Sequence, residues 1–238
     1  MKIHITLTAR DIKEKELPGR IAVVIDVLRA TSVILTALAN GASWVTTVST
    51  IEEAEAFRTD GVLLGGERHA LPIKGFDFSN SPLEYAQGKM NGNGIVLTTT
   101  NGTQAIARCS QSKEVVIGAF LNQRKLADYL VNAGSPVELV CAGTNGEFSL
   151  DDFLCAGMIC TTMNETGNCE FDDLGKLAMK TWHTAKGDIH KALSGSTHYE
   201  ILKNKGFIHD LNYCLSPDSI SLLAILNHES SRFNLLTF

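Results

Sequence analysis

The chain is predicted to be an α/β protein, a layered α/β/α fold on largely parallel sheets. Three observations carry that expectation. Short unbroken runs of apolar residues recur, led by Ile21 to Ile25 and Val137 to Cys141, and such runs mark strands buried on both faces. Segments with helical periodicity stand between them, and regular strand–helix alternation is the pattern of an α/β layer fold. The turns joining strand to helix carry Asp, Arg, Asn, Thr and Gly, at the sheet ends where ligands of such folds gather.

Taken in order, residues 2 to 8 (KIHITLT) alternate as a strand with one exposed face does. A polar turn through Pro18-Gly19 leads into IAVVIDVLRATSVILTALAN, residues 21 to 40. Here a buried strand ends in Asp26, Arg29 follows, and Thr31 or Ser32 is placed to cap a helix of roughly 31 to 40. Gly41 is placed to stop that helix. Trp44 to Ser49 reads as a strand, and Thr50 with Glu53 forms a capping box for a helix through Arg58. Val62 to Leu64 is the next buried strand, running into Gly65-Gly66-Glu67-Arg68.

Residues 69 to 93 break the rhythm, and a long irregular segment inside a compact domain is more often functional than accidental. Asp77, Asn80 and Ser81 are its polar candidates, with a short helix beginning at Pro82. A surface loop whose Asn and Ser cap that turn is the alternative. Ile95 to Thr100 is a strand, Asn101-Gly102-Thr103 opens a helix to about Cys109, and Glu114 to Gly118 is again a strand. Asn122 caps a helix through Ala133, and Val137 to Cys141 leads through Gly143 and Gly146 to Ser149, placed to cap a long helix to about Asn164. A helix at 171 to 184 and short helices around 188 to 204 follow. The stretches 220 to 226 and 233 to 238 read as an antiparallel edge.

IAVVIDVLRATSVILTAL and VELVCAGTNGEFSLDDFLCAGMI echo each other as strand, polar turn and helix. That suggests two similar lobes, about 1–135 and 136–238, around one cleft in a single domain of residues 1–238. Two ordinary βα units would read the same way.

The 238 residues are 44% hydrophobic and 20% charged, as in a globular protein rather than a disordered one. The formal charge of -5 and the absence of a Lys/Arg block argue against a nucleic-acid partner. No apolar run approaches the roughly 20 residues that span a bilayer, so no membrane association is expected. The N-terminal MKIHITLTARDIKEKE turns polar too early for a secretory signal, and a cytoplasmic location follows as the expectation. Length and composition do not decide oligomeric state; a homodimer is the weaker expectation. None of the six cysteines pairs at C-x-x-C spacing, and Cys155 and Cys160 fit packed thiols.

The strand ends collect Asp26, Arg29, Glu67, Arg68, Asn101, Thr103, Gly146, Asp151 and Asp152. The carboxylates among them (Asp26, Glu67, Asp151, Asp152) are the hard oxygen ligands magnesium prefers. Arg29, Arg68 and the loop-to-helix turns suit phosphate or carboxylate. Individually these signals are weak. Asp26 and Arg29 could equally form a structural ion pair, Ser149 with Asp152 is close to a capping box, and no dinucleotide or Walker loop, zinc pattern or nucleophile elbow is present. Together they describe magnesium-assisted chemistry on a small anionic metabolite, or a non-catalytic binding module for one.

VVIDVLRATS at 23–32, GGER at 65–68, GFDFSNSPLEY at 75–85, TTTNGT at 98–103 and CAGTNGEFSLDD at 141–152 together resemble the 2-phosphosulfolactate phosphatase family. The resemblance covers about residues 20 to 215. It implies a magnesium-dependent phosphoric monoester hydrolase converting (2R)-2-phospho-3-sulfolactate to (2R)-3-sulfolactate and phosphate, a step linked to coenzyme M biosynthesis. A different phosphorylated 2-hydroxy acid is the alternative substrate. The blocks of the resemblance map onto the strand-end residues without giving each a role; the chemistry of those ends makes Asp26, Arg29, Glu67 and Arg68 the expected catalytic residues. Thr31, Ser32, Asn80, Ser81, Asn101, Gly102, Thr103 and Gly146 are expected to bind substrate, and Asp26, Glu67, Asp151 and Asp152 to hold Mg2+.

Overall fold

Every residue of Ile21–Ile25 is buried, as is every residue of Val137–Cys141, which is what unbroken apolar runs require of a sheet covered on both faces. The computed structural model describes residues 1–87 and 90–236. Its strands are β1 (Lys2–Thr6), β2 (Ile21–Ile25), β3 (Trp44–Thr47), β4 (Val62–Arg68), β5 (Leu71–Pro72), β6 (Gly94–Thr98), β7 (Glu114–Gly118), β8 (Val137–Cys141), β9 (Glu170–Phe171), β10 (Ala224–Asn227) and β11 (Arg232–Leu235). The helices are α1 (Ala30–Ala39), α2 (Ile51–Ala56), α3 (Pro82–Ala86), α4 (Gly102–Arg108), α5 (Gln123–Ala133), α6 (Leu150–Thr166), α7 (Asp173–Ala185), α8 (Ile189–Leu193), α9 (Thr197–Asn204) and α10 (Ile208–Cys214).

The strands form one sheet in the order β5-β4-β6-β3-β11-β10-β7-β2-β8-β1-β9. Two parallel blocks make it up. One is β4, β6 and β3; the other is β7, β2, β8, β1 and β9. The antiparallel hairpin β10–β11 joins them, pairing with β7 through Ile225 and Val116 and with β3 through Phe233 and Val45. The mixed α/β architecture with a mostly parallel sheet and flanking helices is the one expected. The boundary drawn near residue 135 falls between interleaved strands, because β8 lies between β1 and β2.

The sheet curls. β2 and β6 stand five places apart, roughly 24 Å along a flat ladder at about 4.8 Å per strand. Yet Gly102, just beyond β6, approaches Asp26, just beyond β2, so closely that a Cβ on it would lie 2.7 Å from Asp26 Oδ2. Helix α1 sits where this curvature needs it. Nine of its ten residues are buried, as expected of a helix apolar on all sides, and it packs against β3, β7 and β10 as well as α3 and α4.

Several boundaries differ from expectation. Helix α1 starts at Ala30, with Arg29 in the capping position. The hydroxyls expected to cap it turn backwards: Thr31 Oγ1 accepts from the Asp26 amide at 3.2 Å, and Ser32 Oγ donates to Val27 O at 2.8 Å. β4 runs on to Arg68. Ser149 does precede α6, but Asp152 closes no capping box, since both of its oxygens serve other amides. The Thr50–Glu53 capping box is formed. The antiparallel pair at the end of the chain is β10–β11, but it lies inside the sheet between β7 and β3 rather than at an edge; residues 237 and 238 of the expected final strand lie outside the described residues. No helix among the described residues is long and apolar enough to cross a membrane.

Candidate active site

Beyond the ends of β2, β4, β6 and β8 lies a cleft of about 310 Å³, with Asp26, Arg29, Glu67, Asn80, Asn101 and His198 among its lining residues. Asp26 is fixed by the strand-to-helix turn, where its Oδ1 accepts the Ala30 amide at 3.4 Å. Burial pushes its carboxyl up to about 6; the charge of His198 opposes that rise, while Asp151 and Glu67 add to it. Those carboxylates therefore stand close enough to feel one another across the curl of the sheet.

Glu67 holds the opposite wall. Its Oε2 accepts the Ala70 amide at 2.6 Å, and its Oε1 accepts both the amide and the hydroxyl of Thr100 at 2.8 Å. That pins the turn after β4 to the turn after β6. Asn101 Oδ1 accepts the Asn145 amide at 2.9 Å, tying the β6 turn to the loop after β8. His69, Ala70 and Asn145 all adopt positive φ, a conformation non-glycine residues rarely hold without support from their surroundings.

Asp151 and Asp152 lie at the buried start of α6. Asp152 accepts the amides of Val27 at 3.0 Å and Gly143 at 3.1 Å, so it fastens the β2 and β8 turns to the helix. Burial raises its carboxyl well above the usual carboxylate range, and the charges of Asp151 and Asp26 add to the effect. Asp151 accepts from the Ser149 hydroxyl. Neither of these two carboxylates lines the cleft.

Arg29 and Arg68, paired in expectation, part company. Arg29 lines the cleft, forms a buried ion pair with Asp210 and stacks over Phe207, 4.1 Å from the ring centre. Its partner is therefore Asp210 on α10, not Asp26. The Arg68 guanidinium donates to Thr98 Oγ1, Ser49 O and Glu67 O, and it stays out of the cleft lining.

The remaining residues also divide. Asn80 lines the cleft, and its Oδ1 is buried without a partner. The irregular segment holds it there through Asp77, which accepts the Leu64 amide, and Glu84, which accepts the Ser79 amide and hydroxyl. Ser81 Oγ donates to Asp210 at 2.7 Å. Thr31 and Ser32 are fully buried beneath the turn. Thr103 Oγ1 accepts the Thr99 amide, and Gly102 backs onto Asp26 rather than opening to the cleft. Gly146, at φ +78°, faces the Arg10 guanidinium, where a Cβ would stand 2.1 Å from Cζ. Cys141 is fully buried, and burial raises its thiol far above the range of a reactive thiolate.

Sequence reasoning missed His198, Lys205 and Asp210. His198 and Lys205 lie at the two ends of α9, which covers one side of the cleft together with Ile201 and Leu202. His198 Nε2 bonds to Leu28 O at 2.6 Å, and Lys205 Nζ donates to His69 O at 2.6 Å. Nothing in the sequence spacing joins His198 to Leu28, 170 positions earlier, or Lys205 to His69, 136 positions earlier.

The cleft combines Asp26 and Glu67 with Arg29, Lys205, two histidines and the side chain of Asn80, a set able to hold an anionic ester against a cation. Comparison with known proteins agrees with that chemistry. Residues 6–229 match the family model described as 2-phosphosulpholactate phosphatase. A Clostridium perfringens (strain SM101 / Type A) protein named as a probable 2-phosphosulfolactate phosphatase is 45% identical over 94% of this chain and 92% of its own length. A Clostridium novyi (strain NT) protein of the same name is 42% identical over 94% of this chain and 96% of its own. One from Caldanaerobacter subterraneus subsp. tengcongensis is 40% identical over 94% and 92%. With nearly all of its length matched, the chain belongs to the 2-phosphosulpholactate phosphatase family, whose members are phosphoric monoester hydrolases.

Proposed function

We propose that the chain is a magnesium-dependent phosphatase that hydrolyses (2R)-2-phospho-3-sulfolactate to (2R)-3-sulfolactate and phosphate, working in the cytoplasm on a sulfolactate route such as coenzyme M synthesis. The observation that carries this reading is the convergence of Asp26, Arg29, Glu67, Asn80 and Asn101, drawn from four separated family-like blocks, on one cleft. A substrate with phosphate, carboxylate and sulfonate needs several donors. Arg29, His198 and Lys205 supply cationic or ionisable groups along the cleft, with the backbone of Thr99 to Asn101 beside them.

The residues suit a magnesium ion. Among the described residues no three acidic, histidine or cysteine side chains form a ready cage for a metal. Magnesium, however, is commonly held by one or two carboxylates, with water and substrate phosphate completing its shell. Asp26 and Glu67 would hold it, and Asn80 Oδ1 supplies a buried neutral oxygen that has no donor of its own. Burial raises the carboxyls of Asp26 and Asp152, and the carboxylates beside them add to the rise. When bound, the ion would polarise the phosphoryl oxygens and offset charge in the transition state. Arg29, held rigid by Asp210, would orient the anionic substrate against it.

Phosphate release from 2-phospho-3-sulfolactate and from 2-phospholactate, with magnesium and with excess chelator, tests the reading. Release in magnesium that chelator abolishes, and that favours the sulfonated substrate, is the expected result. Indifference to chelator would remove the metal. Equal rates would point to another phosphorylated 2-hydroxy acid, and binding without release would point to a non-catalytic module.

A further inference from the structure

We propose that Lys205 binds the sulfonate of the substrate and so sets the preference for a sulfonated ester. The inference rests on the phosphatase reading of this cleft and deepens it, by assigning a side chain to an anion that does not react.

The cleft has a buried end and an open one. Asp26, Arg29, Glu67 and Asn80 are 3% to 8% exposed, whereas His69, Asn145 and Lys205 of the same lining are open to solvent. The carboxylates and the arginine make the buried end the place for the reacting phosphate. Of the two other anions on the substrate, the carboxylate is a hard oxygen ligand that suits the same surroundings. The sulfonate is the anion of a strong acid and the weaker metal ligand. Keeping it near water at the mouth spares its desolvation.

Most donors near the mouth are already spent. Glu67 takes the amides of Ala70 and Thr100, and Asn101 takes that of Asn145. His198 sets Nε2 against Leu28 O, and its Nδ1 is closed off from solvent. Lys205 differs from these. Its ammonium gives one hydrogen to His69 O at 2.6 Å, and an ammonium carries three. That bond holds the charge at the cleft wall and leaves two hydrogens for a ligand.

Helix α9 brings the lysine there by its own geometry. His198, Ile201, Leu202 and Lys205 follow the i, i+3, i+4, i+7 spacing of a single helix face, and all four line the cleft. The face thus offers the carbon chain an apolar wall and ends in a cation at the C-cap. His69 is the rival, because its ring lines the same mouth. A neutral imidazole has one N–H to give, whereas an ammonium brings a full charge and three donors.

The test measures kcat/KM in saturating magnesium on 2-phospho-3-sulfolactate and on 2-phospholactate, which lacks only the sulfonate. Wild type, Lys205→Met and His69→Gln are compared by the ratio of the two values. The wild type should favour the sulfonated ester. In Lys205→Met the ratio should shrink by about tenfold or more, the usual worth of a hydrogen bond to a charged group. The change should lie in KM for the sulfonated ester, with a few-fold loss at most on 2-phospholactate, which also shows that the variant is folded. His69→Gln keeps the backbone carbonyl that Lys205 bonds to, and should keep the ratio. An equal loss on both esters in Lys205→Met would reduce the residue to a fastening between α9 and the turn after β4, and overturns the proposal. So does a ratio left intact in Lys205→Met, or one lost in His69→Gln instead. A wild type indifferent to the sulfonate overturns it while the phosphatase reading stands. A wild type that releases phosphate from neither ester overturns both.

Discussion

Arg29 on the turn after β2 and Asp210 on α10 form an ion pair whose side chains are 2% and 4% exposed. Asp210 also accepts the hydroxyl of Ser81 at 2.7 Å, so one carboxylate gathers the cleft arginine, the irregular segment and the helical cap. Asp210→Ala leaves the Arg29 charge buried and unpaired, which typically costs about 3–5 kcal/mol. Urea unfolding should show a drop of that size, with a smaller one for Asp210→Asn, which retains an acceptor. A loss below about 1 kcal/mol for Asp210→Ala would mean that water reaches Arg29 in its place.

Asp26 makes opposite demands on stability and on activity. Its carboxyl titrates near 6 in the folded chain against 3.8 in an unfolded one, chiefly because it is buried. The raised value means that its contribution to stability is complete below about pH 4 and is lost as the pH rises through about 6. Asp26→Asn cannot ionise and escapes that loss. In chelator, the variant should match the wild type near pH 4 and exceed it by about 3 kcal/mol on the alkaline side, at 1.36 kcal/mol per unit. In magnesium its phosphate release should fall by about 10²-fold or more. A stability difference flat between pH 4 and 7 would contradict the raised value.

Gly102 is fixed by its neighbour. A Cβ there would lie 2.7 Å from Asp26 Oδ2 and 2.8 Å from Ala30 Cβ. Alanine in a helix normally gains about 1 kcal/mol over glycine, but overpacking at this contact should reverse the sign and cost about 1–3 kcal/mol. Activity should fall with it, because the carboxylate itself is displaced. Gly187→Ala is the control, since nothing stands within 4 Å of its added Cβ. Calorimetry and phosphate release on the two variants compare them directly, and a stabilised, fully active Gly102→Ala would disprove the tight contact.

The strands were legible because burial on both faces leaves an unambiguous trace: Ile21 to Ile25 and Val137 to Cys141 carry no polar residue apart from Glu138. The start of α1 was less so. A hydroxyl before a helix and a hydroxyl inside its first turn look alike in sequence, and Thr31 and Ser32 are of the second kind. Asp26, Glu67 and Asn101 could be found by asking what stands at strand ends. Arg68 satisfies the same rule but spends its donors on Thr98, Ser49 and Glu67, which no local pattern foretells. His198 comes from a helix that reaches the cleft and Asp210 from one that reaches Arg29, both through tertiary packing, and only folding reveals their neighbours. The two-residue strands β5 and β9 are too short for any periodicity to register.

The hairpin β10–β11 gives the order of synthesis a role in the life of the molecule. As the ribosome delivers the chain from residue 1 onward, the two parallel blocks have all their strands once Phe171 has emerged, but the segment that sutures β3 to β7 arrives more than fifty residues later, with Arg232–Leu235. Until then the facing edges of β3 and β7 are open to one another and to other chains, the kind of exposed edge that invites mispairing. Asp26 belongs to one block and Glu67 to the other. A nascent chain therefore carries every strand-end residue of the cleft well before it has the keystone that holds the two halves in register.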